Sequence, residues 1–286
     1  MILNVGSINI DLVYRVPHLV RPGETLAAEK FTRNLGGKGA NQSIAAAKAG
    51  ASVMHCGAVG YDGHDYVKEL ADAGVSTDTI EILSEPTGHA VVAVDAEGEN
   101  SIMLFAGANH AIADRLLDDA FADIGPDDWV MLQNEVQVNV EAAVRARGKG
   151  ASVVYSAAPF DPDAVMDILP FITHLLLNEI ENAALDHLSV PVPDTIIRVV
   201  TQGAAGATWL AQSQNMHVAA FDVPDVLDTT GAGDCFAGNL VAALERGMSP
   251  IDAVYFAQAA AAIQITRNGA APAMPSRAEI EAFLAT

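Results

Sequence analysis

Lysine and arginine are scarce in this chain, 15 of 286 residues against 36 aspartates and glutamates, for a formal net charge of −21 at pH 7. Nucleic-acid backbones are bound through basic patches, so composition argues against that partner. A small phosphorylated ligand stays open, because local amides and a metal suffice for it. Cysteine is nearly absent as well. Cys56 and Cys235 lie far apart and match no metal-ligand spacing, which reads as two small buried residues in a reducing compartment. No apolar run is long enough to span a bilayer, and the opening MILNVGSINIDLVY lacks the basic and apolar regions of a leader. A cytoplasmic location without membrane partner is therefore expected. Internal repeats, low-complexity tracts and Pro/Gly/Ser linkers are missing too, so residues 1–286 are expected to form a single domain.

What is present is alternation. Apolar, β-rich runs at residues 2–8, 53–59, 129–132, 152–155, 174–177 and 196–201 are separated by helix-like segments, among them 42–49 and 64–73. Helical patterns follow at 234–246, 251–266 and 277–284. This rhythm predicts an α/β protein whose mostly parallel sheet is covered by helices on both faces. Residues 22–35 and 89–106 break it: both alternate like strands, and the second turns at Ala96-Glu97-Gly98-Glu99. They suggest a small second sheet over one edge, a lid rather than a decoration.

Two glycine-rich corners carry the chemistry. In Asp228-Thr229-Thr230-Gly231-Ala232-Gly233-Asp234, small residues precede a predicted helix. Its unpaired amides and dipole make such a corner an oxyanion site. Asp234 could simply cap the helix. A carboxylate beside bound anion makes better sense as a base that takes a proton from a hydroxyl attacking a phosphoryl group. The other corner, Gly36-Gly37-Lys38-Gly39-Ala40-Asn41-Gln42, is not a Walker A loop, since Gly follows the Lys. A G-x-G-x-x-G after the first strand is also lacking, which removes the main reason to expect a nicotinamide cofactor. Upstream, Asn9 and Asp11 sit two apart on an extended segment and face the same way, as a polyhydroxylated ligand would need. The histidines His55, His89, His110, His174 and His187 show no ligand spacing, and packing or surface roles are expected for them.

With these residues in view, the chain resembles the ribokinase (PfkB carbohydrate kinase) family. GGKGANQSIAAAKAG resembles the family's N-terminal signature and DTTGAGDCFAGNLVAAL its C-terminal one; GSINID, GENSIMLFAGAN and TRNGAAPAMP extend the likeness from Gly6 to the last helix. The resemblance implies a three-layer α/β/α fold with a small β-sheet lid built from about residues 12–35 and 88–107. It implies an ATP-dependent sugar kinase, D-ribose to D-ribose 5-phosphate first of all. The alternatives are a nucleoside kinase of adenosine-like specificity, for which Phe31 and Phe105 could line a base pocket, or a kinase of another pentose or ketohexose. A catalytically silent sugar-binding regulator would be expected to lose Asp234 or the anion-hole glycines, and both are kept.

Carried over residue by residue, the resemblance makes Asp234 the base and Gly231, Ala232 and Gly233 the anion hole. Asn9, Asp11, Gly37, Lys38, Asn41 and Glu135 become sugar ligands. Asn178, the loop Thr201-Gln202-Gly203-Ala204-Ala205-Gly206, Gly233 and Gln258 fall on the ATP side. Glu181 is tied indirectly to Mg²⁺. Asp228, Thr230, Gln264, Arg267, Gly269 and Ala273 fall at a site for K⁺, an expected activator, and a homodimer through the lid is implied. Three departures stand out. The GAAG loop lacks the polar or basic side chain often found there, Ala273 replaces a common Ser, and residues 182–195, with Pro191 and Pro193, are short, so a truncated peripheral helix is expected.

Overall fold

The computed structural model describes residues 1–188, 191–212 and 214–285. In chain order the strands and helices begin β1 (Ile2–Val5), β2 (Asn9–Arg15), β3 (Lys30–Gly36), α1 (Lys38–Lys48), β4 (Val53–Gly60), α2 (His64–Asp72), β5 (Val75–Leu83), β6 (Gly88–Val94) and β7 (Asn100–Phe105). They continue α3 (Asp114–Ala120), β8 (Trp129–Gln133), α4 (Asn139–Gly148), β9 (Ser152–Ser156), α5 (Pro162–Ile168), β10 (His174–Asn178), α6 (Glu179–His187) and β11 (Ile197–Thr201). The last are β12 (Ala207–Ala211), β13 (Gln214–Val218), α7 (Ala232–Glu245), α8 (Pro250–Gln264) and α9 (Arg277–Leu284).

Among the described residues nine strands form the central sheet, in the order β13-β12-β11-β10-β9-β8-β1-β4-β5. From β11 to β5 every pairing is parallel, while β12 and β13 are added antiparallel at one edge. Helices cover both faces, which explains the unbroken apolar runs of the central strands. Ile2 and Met131 point into one core with α1, α7 and α8; Leu3, Val5, Val130 and Leu132 point into the other with α3, α4 and α5. This is the three-layer α/β/α architecture. No helix among the described residues is long and apolar enough to cross a membrane.

A second sheet, in the order β3-β2-β6-β7, stands apart from the first. Its β6–β7 hairpin closes where Asp95 Oδ1 accepts the amides of Glu97 and Glu99 at 3.0 and 2.9 Å. Two sequence expectations need correction. The strand expected over 2–8 stops at Val5, because the next residues spend their backbone bonds elsewhere: the Ser7 carbonyl accepts the Ala40 amide at the start of α1, and the Ile8 amide donates to Asn109. Asn9 and Asp11 therefore belong to the small sheet, in β2. Within residues 22–35 only Lys30 onward forms a strand; the stretch begins instead in a turn, with the Glu24 amide on the Arg21 carbonyl at 3.0 Å and Gly23 at φ +82°. The shortened 182–195 segment includes Ser189 and Val190, which lie outside the described residues; before them α6 runs for nine residues.

Candidate active site

The helix at the centre of the site, α7, starts at Ala232, two residues earlier than its pattern predicts. Gly231 caps it at φ +77°, a left-handed conformation that suits glycine, and a Cβ there would meet the Ala270 side chain at 2.7 Å. The Ala232 amide already donates to the Thr229 carbonyl at 3.1 Å, and Cys235 donates to Gly231 at 2.8 Å. Among the described residues the Gly233 and Asp234 amides have no such partner. These two, with the helix dipole behind them, are what the corner offers an anion.

Asp234 is buried, 8% exposed, and both its oxygens are held from α1. Asn41 Nδ2 donates to Oδ2 and Gln42 Nε2 to Oδ1, each at 3.0 Å. The helices meet this closely because α7 carries Gly238 where they cross: a Cβ there would lie 2.5 Å from the Gln42 carbonyl oxygen. The Lys38 side chain lines the cleft in front of Asp234. Burial pulls against its charge, but Asp234, Glu135 and Glu181 outweigh that and hold the ammonium above its ordinary pKa.

Glu135 follows β8 and is pinned by the Lys38 backbone amide at 2.9 Å and by a short bond from the Ser7 hydroxyl. Asp11, from β2, is pushed up to about pKa 6, first by burial and then by the charges of Glu135 and Asp234. Asn9, beside it, takes a bond from Asn109 Nδ2 at 2.7 Å. The start of β2, the turn after β8 and the first turns of α1 and α7 thus gather three carboxylates, Asp11, Glu135 and Asp234, three carboxamides, Asn9, Asn41 and Gln42, and the lysine Lys38.

The cleft runs on toward Asn178, Glu181 and Thr201, lined as well by Thr229, Gly231, Ala232 and Gly233. Asn178 and Glu181 form a reciprocal cap on α6: each receives the other's backbone amide on a side-chain oxygen, both at 2.8 Å. Burial raises the Glu181 pKa against the opposing pull of the Asn178 amide and Lys38. Residues 203–205 make an exposed 3-10 turn after β11, closed by the Gln202 amide on the Gly206 carbonyl at 2.7 Å. Gln258 reaches the Val218 carbonyl at 2.8 Å and is not part of the cleft lining.

Beside the corner, Asp228 accepts the amides of Thr230 and Gly269, both at 2.9 Å. Burial opposes the charge, yet the bonds from Thr230 and Gly269 keep the Asp228 carboxyl below its usual range. Gln264 Nε2 donates to the Thr230 and Gly269 carbonyls at 2.8 and 3.1 Å. Arg267 bonds the Ala273 carbonyl at 3.4 Å and Glu279 at 2.7 Å. Gln264 Nε2 and the Arg267 guanidinium are thus committed as donors, while Gln264 Oε1 is buried without a partner among the described residues.

Sequence reasoning missed Ser7, Gln42, Asn109 and Gln133. Gln42 adjoins Asn41 in a motif already singled out, Ser7 lies within GSINID and Asn109 closes the AGAN run; Gln133 carried no local signal. The model of the family described as pfkB family carbohydrate kinase matches residues 1–277. A ribokinase of Haemophilus influenzae is 34% identical over 98% of this chain and 97% of its own length. The structure of a ribokinase from Thermotoga maritima superposes with a TM-score of 0.88 at 32% identity, covering 100% of this chain and 99% of that one. Another, of an Arabidopsis thaliana ribokinase complexed with ribose and ATP, gives 0.87 at 29% identity, covering 100% and 98%. The chain belongs to the pfkB family of carbohydrate kinases.

Proposed function

We propose that this kinase transfers the γ-phosphoryl group of ATP to the primary 5-hydroxyl of D-ribose, giving D-ribose 5-phosphate and ADP. The observation that carries the reading is Asp234: a buried carboxylate, held at both oxygens, at the mouth of α7 between a polar sugar side and a nucleotide side. Relatives named ribokinase over nearly their whole length, one of them seen with ribose and ATP, support the choice of sugar.

On this reading the sugar lies against Asn9, Asp11, Asn41 and Glu135, with Gly37 and Lys38 at the start of α1 beside it. Asp234 accepts the hydroxyl proton as the sugar oxygen bonds to the γ-phosphorus and the bond to the β-phosphate oxygen breaks. The Gly233 and Asp234 amides steady the transferring oxygens, and Lys38 adds positive charge. Asn178, Thr201 and the 202–206 turn lie on the nucleotide side. General-base help of this kind is worth on the order of 10²–10⁴-fold.

Mg²⁺ would be carried by the nucleotide phosphates and water with Glu181 nearby, as suits an ion that keeps much of its hydration, and would neutralise charge on the transferred group. The Asp228 carboxylate and the Thr230 and Gly269 carbonyls are hard oxygen donors of the kind K⁺ takes; Ala273 adds no side-chain donor. Closure of the small sheet over the sugar would exclude water. A homodimer through that sheet fits its exposed apolar strand β7, and a cytoplasmic location gives access to ATP.

The test is ADP release with Mg-ATP over a panel of pentoses, hexoses and nucleosides, with K⁺ or Na⁺ present. Ribose should give the highest kcat/KM, and Asp234→Asn should bind ribose while losing turnover by at least 10²-fold. Absence of turnover on every sugar, or a nucleoside preferred over ribose, would overturn the reading.

A further inference from the structure

Behind Asp234 runs a file of uncharged polar side chains through the middle of the protein. Gln42 on α1, Gln133 on β8, Asn4 on β1, Ser43 on α1 and His55 on β4 are at most 1% exposed. They stand on three adjacent central strands and the helix above them, where apolar residues would cost less.

The polarity of this file is dictated by its backbone partners. The Gly39 carbonyl can only accept, so the Asn4 atom 2.9 Å away is its nitrogen. Asn4 Oδ1 then faces Gln133 at 2.9 Å and must receive an N–H from it. The same Gln133 nitrogen lies 2.8 Å from Gln42, which must accept through Oε1. Gln42 is left with its nitrogen toward Asp234 Oδ1, at 3.0 Å.

The far end agrees independently. His55 Nε2 faces the Gly6 carbonyl at 3.1 Å and must carry the proton. Burial lowers the ring's pKa to about 4, so Nδ1 is an acceptor for the Ser43 hydroxyl at 2.8 Å. Ser43 Oγ in turn accepts from Asn4 Nδ2 at 2.9 Å. Gln133 Oε1 is buried without a partner, left so because both N–H groups of that amide are committed to its neighbours.

We infer that Gln42, locked by Gln133 and Asn4, is a positioning residue: it can show Asp234 only a donor, and so fixes the carboxylate's rotation and keeps its remaining lone pairs toward the cleft. The inference rests on the reading of Asp234 as the base. Amides pass no protons, so the file orients the base and does not drain it. The proton taken from the sugar leaves by the cleft.

Gln133→Met tests this from a distance, since the Gln133 side chain bonds Asn4 and Gln42 rather than Asp234, and Gln133 is not itself among the residues that line the cleft. Kinetics are read well below the variant's melting temperature. The expected result is a kcat lower by roughly 10–100-fold, with KM for ribose and for ATP within about twofold of the parent. Gln42→Met should lower kcat similarly, and the double variant should be no slower than Gln42→Met within about twofold, since the two act in series. A kcat of Gln133→Met within about threefold of the parent, or losses that multiply in the double variant, would overturn the proposal. Gln133→Asn, which keeps the amide but shortens its reach, replaces Gln133→Met if the latter fails to fold. Nitrogen-15 NMR of the His55 ring reads the polarity without turnover: a neutral ring protonated at Nε2 is expected, and a proton on Nδ1 would reverse the file and refute the idea. A parent enzyme without turnover on any sugar would sink the base assignment instead, and the ring spectrum would still decide the polarity.

Discussion

Asn109 donates from Nδ2 to Asn9 Oδ1 at 2.7 Å, joining residues 100 positions apart at the base of the small sheet. Asn109 is itself fixed, because its Oδ1 accepts the Ile8 amide at 2.9 Å. The Asn9 carboxamide is thereby oriented with its oxygen occupied and its nitrogen available to a ligand. Replacing Asn109 by Leu, of similar size, should leave Asn9 free to rotate and should orphan the Ile8 amide, an error worth roughly 1–3 kcal/mol. We expect KM for the sugar to rise by about tenfold while KM for ATP holds, measured by steady-state kinetics. An unchanged sugar KM would detach Asn109 from binding.

The same pair shows how far the sequence could be read. Strands of the parallel sheet were legible because burial on both faces makes them continuous apolar runs between helical patterns. Asp234, Lys38 and Asn41 were legible because glycine-rich corners before helices have few other uses. Asn109, Gln42 and Gln133 were not, since what defines each is a partner 100, 192 or 129 residues away. The antiparallel strands β12 and β13 also went unseen. Their pattern is short and half-exposed, and only pairing with β11 gives them a place.

Asp11 should cost the fold stability at neutral pH. Its carboxyl is pushed up to about 6 from 3.8, first by burial and then by Glu135 and Asp234. The folded protein therefore holds a proton there that the unfolded chain has lost, and stability falls as pH rises from about 4 to about 6. Asp11→Asn should raise the melting temperature at pH 7.5 by a few degrees, equivalent to about 1–3 kcal/mol, with the gain vanishing near pH 4. The same variant should bind ribose poorly, and in the parent the ribose KM should climb as pH drops below 6. Melting curves of the two proteins that stay parallel from pH 4 to 8 would refute the account.

His174 works in the opposite sense. It is sandwiched between Trp129 and Trp209, with ring centroids 5.2 and 5.6 Å away, and burial lowers its pKa to about 4. The folded state keeps the ring neutral where the unfolded chain would take a proton. Stability is then complete above pH 6.5 and is lost as pH falls toward 4, by up to about 3 kcal/mol for such a shift. His174→Phe should fill the space between the two tryptophans and remove this loss. Urea unfolding at pH 7 and pH 4.5 should show a smaller difference for the variant than for the parent. Equal differences would assign the acid sensitivity elsewhere, with buried His55 the next group to replace.

Strand β7 is an edge that makes no effort to hide. Ile102, Met103, Leu104 and Phe105 are 53%, 67%, 59% and 52% exposed, and no lysine, arginine or proline interrupts them. Edges of this kind invite pairing with another chain unless they are blunted. By register, Leu104 stands opposite Ala90 and Ala90 opposite Asp11, so Leu104 is on the Asp11 face of the sheet. A second copy packed on that face would cover Ile102 and Leu104, which share it, and shield the sugar at once. Leu104→Glu should therefore give a monomer in analytical ultracentrifugation where the parent sediments as a dimer, and should raise the ribose KM more than the ATP KM. A parent that is monomeric at micromolar concentration, or a monomeric variant with unaltered ribose kinetics, would separate this edge from assembly or from binding respectively.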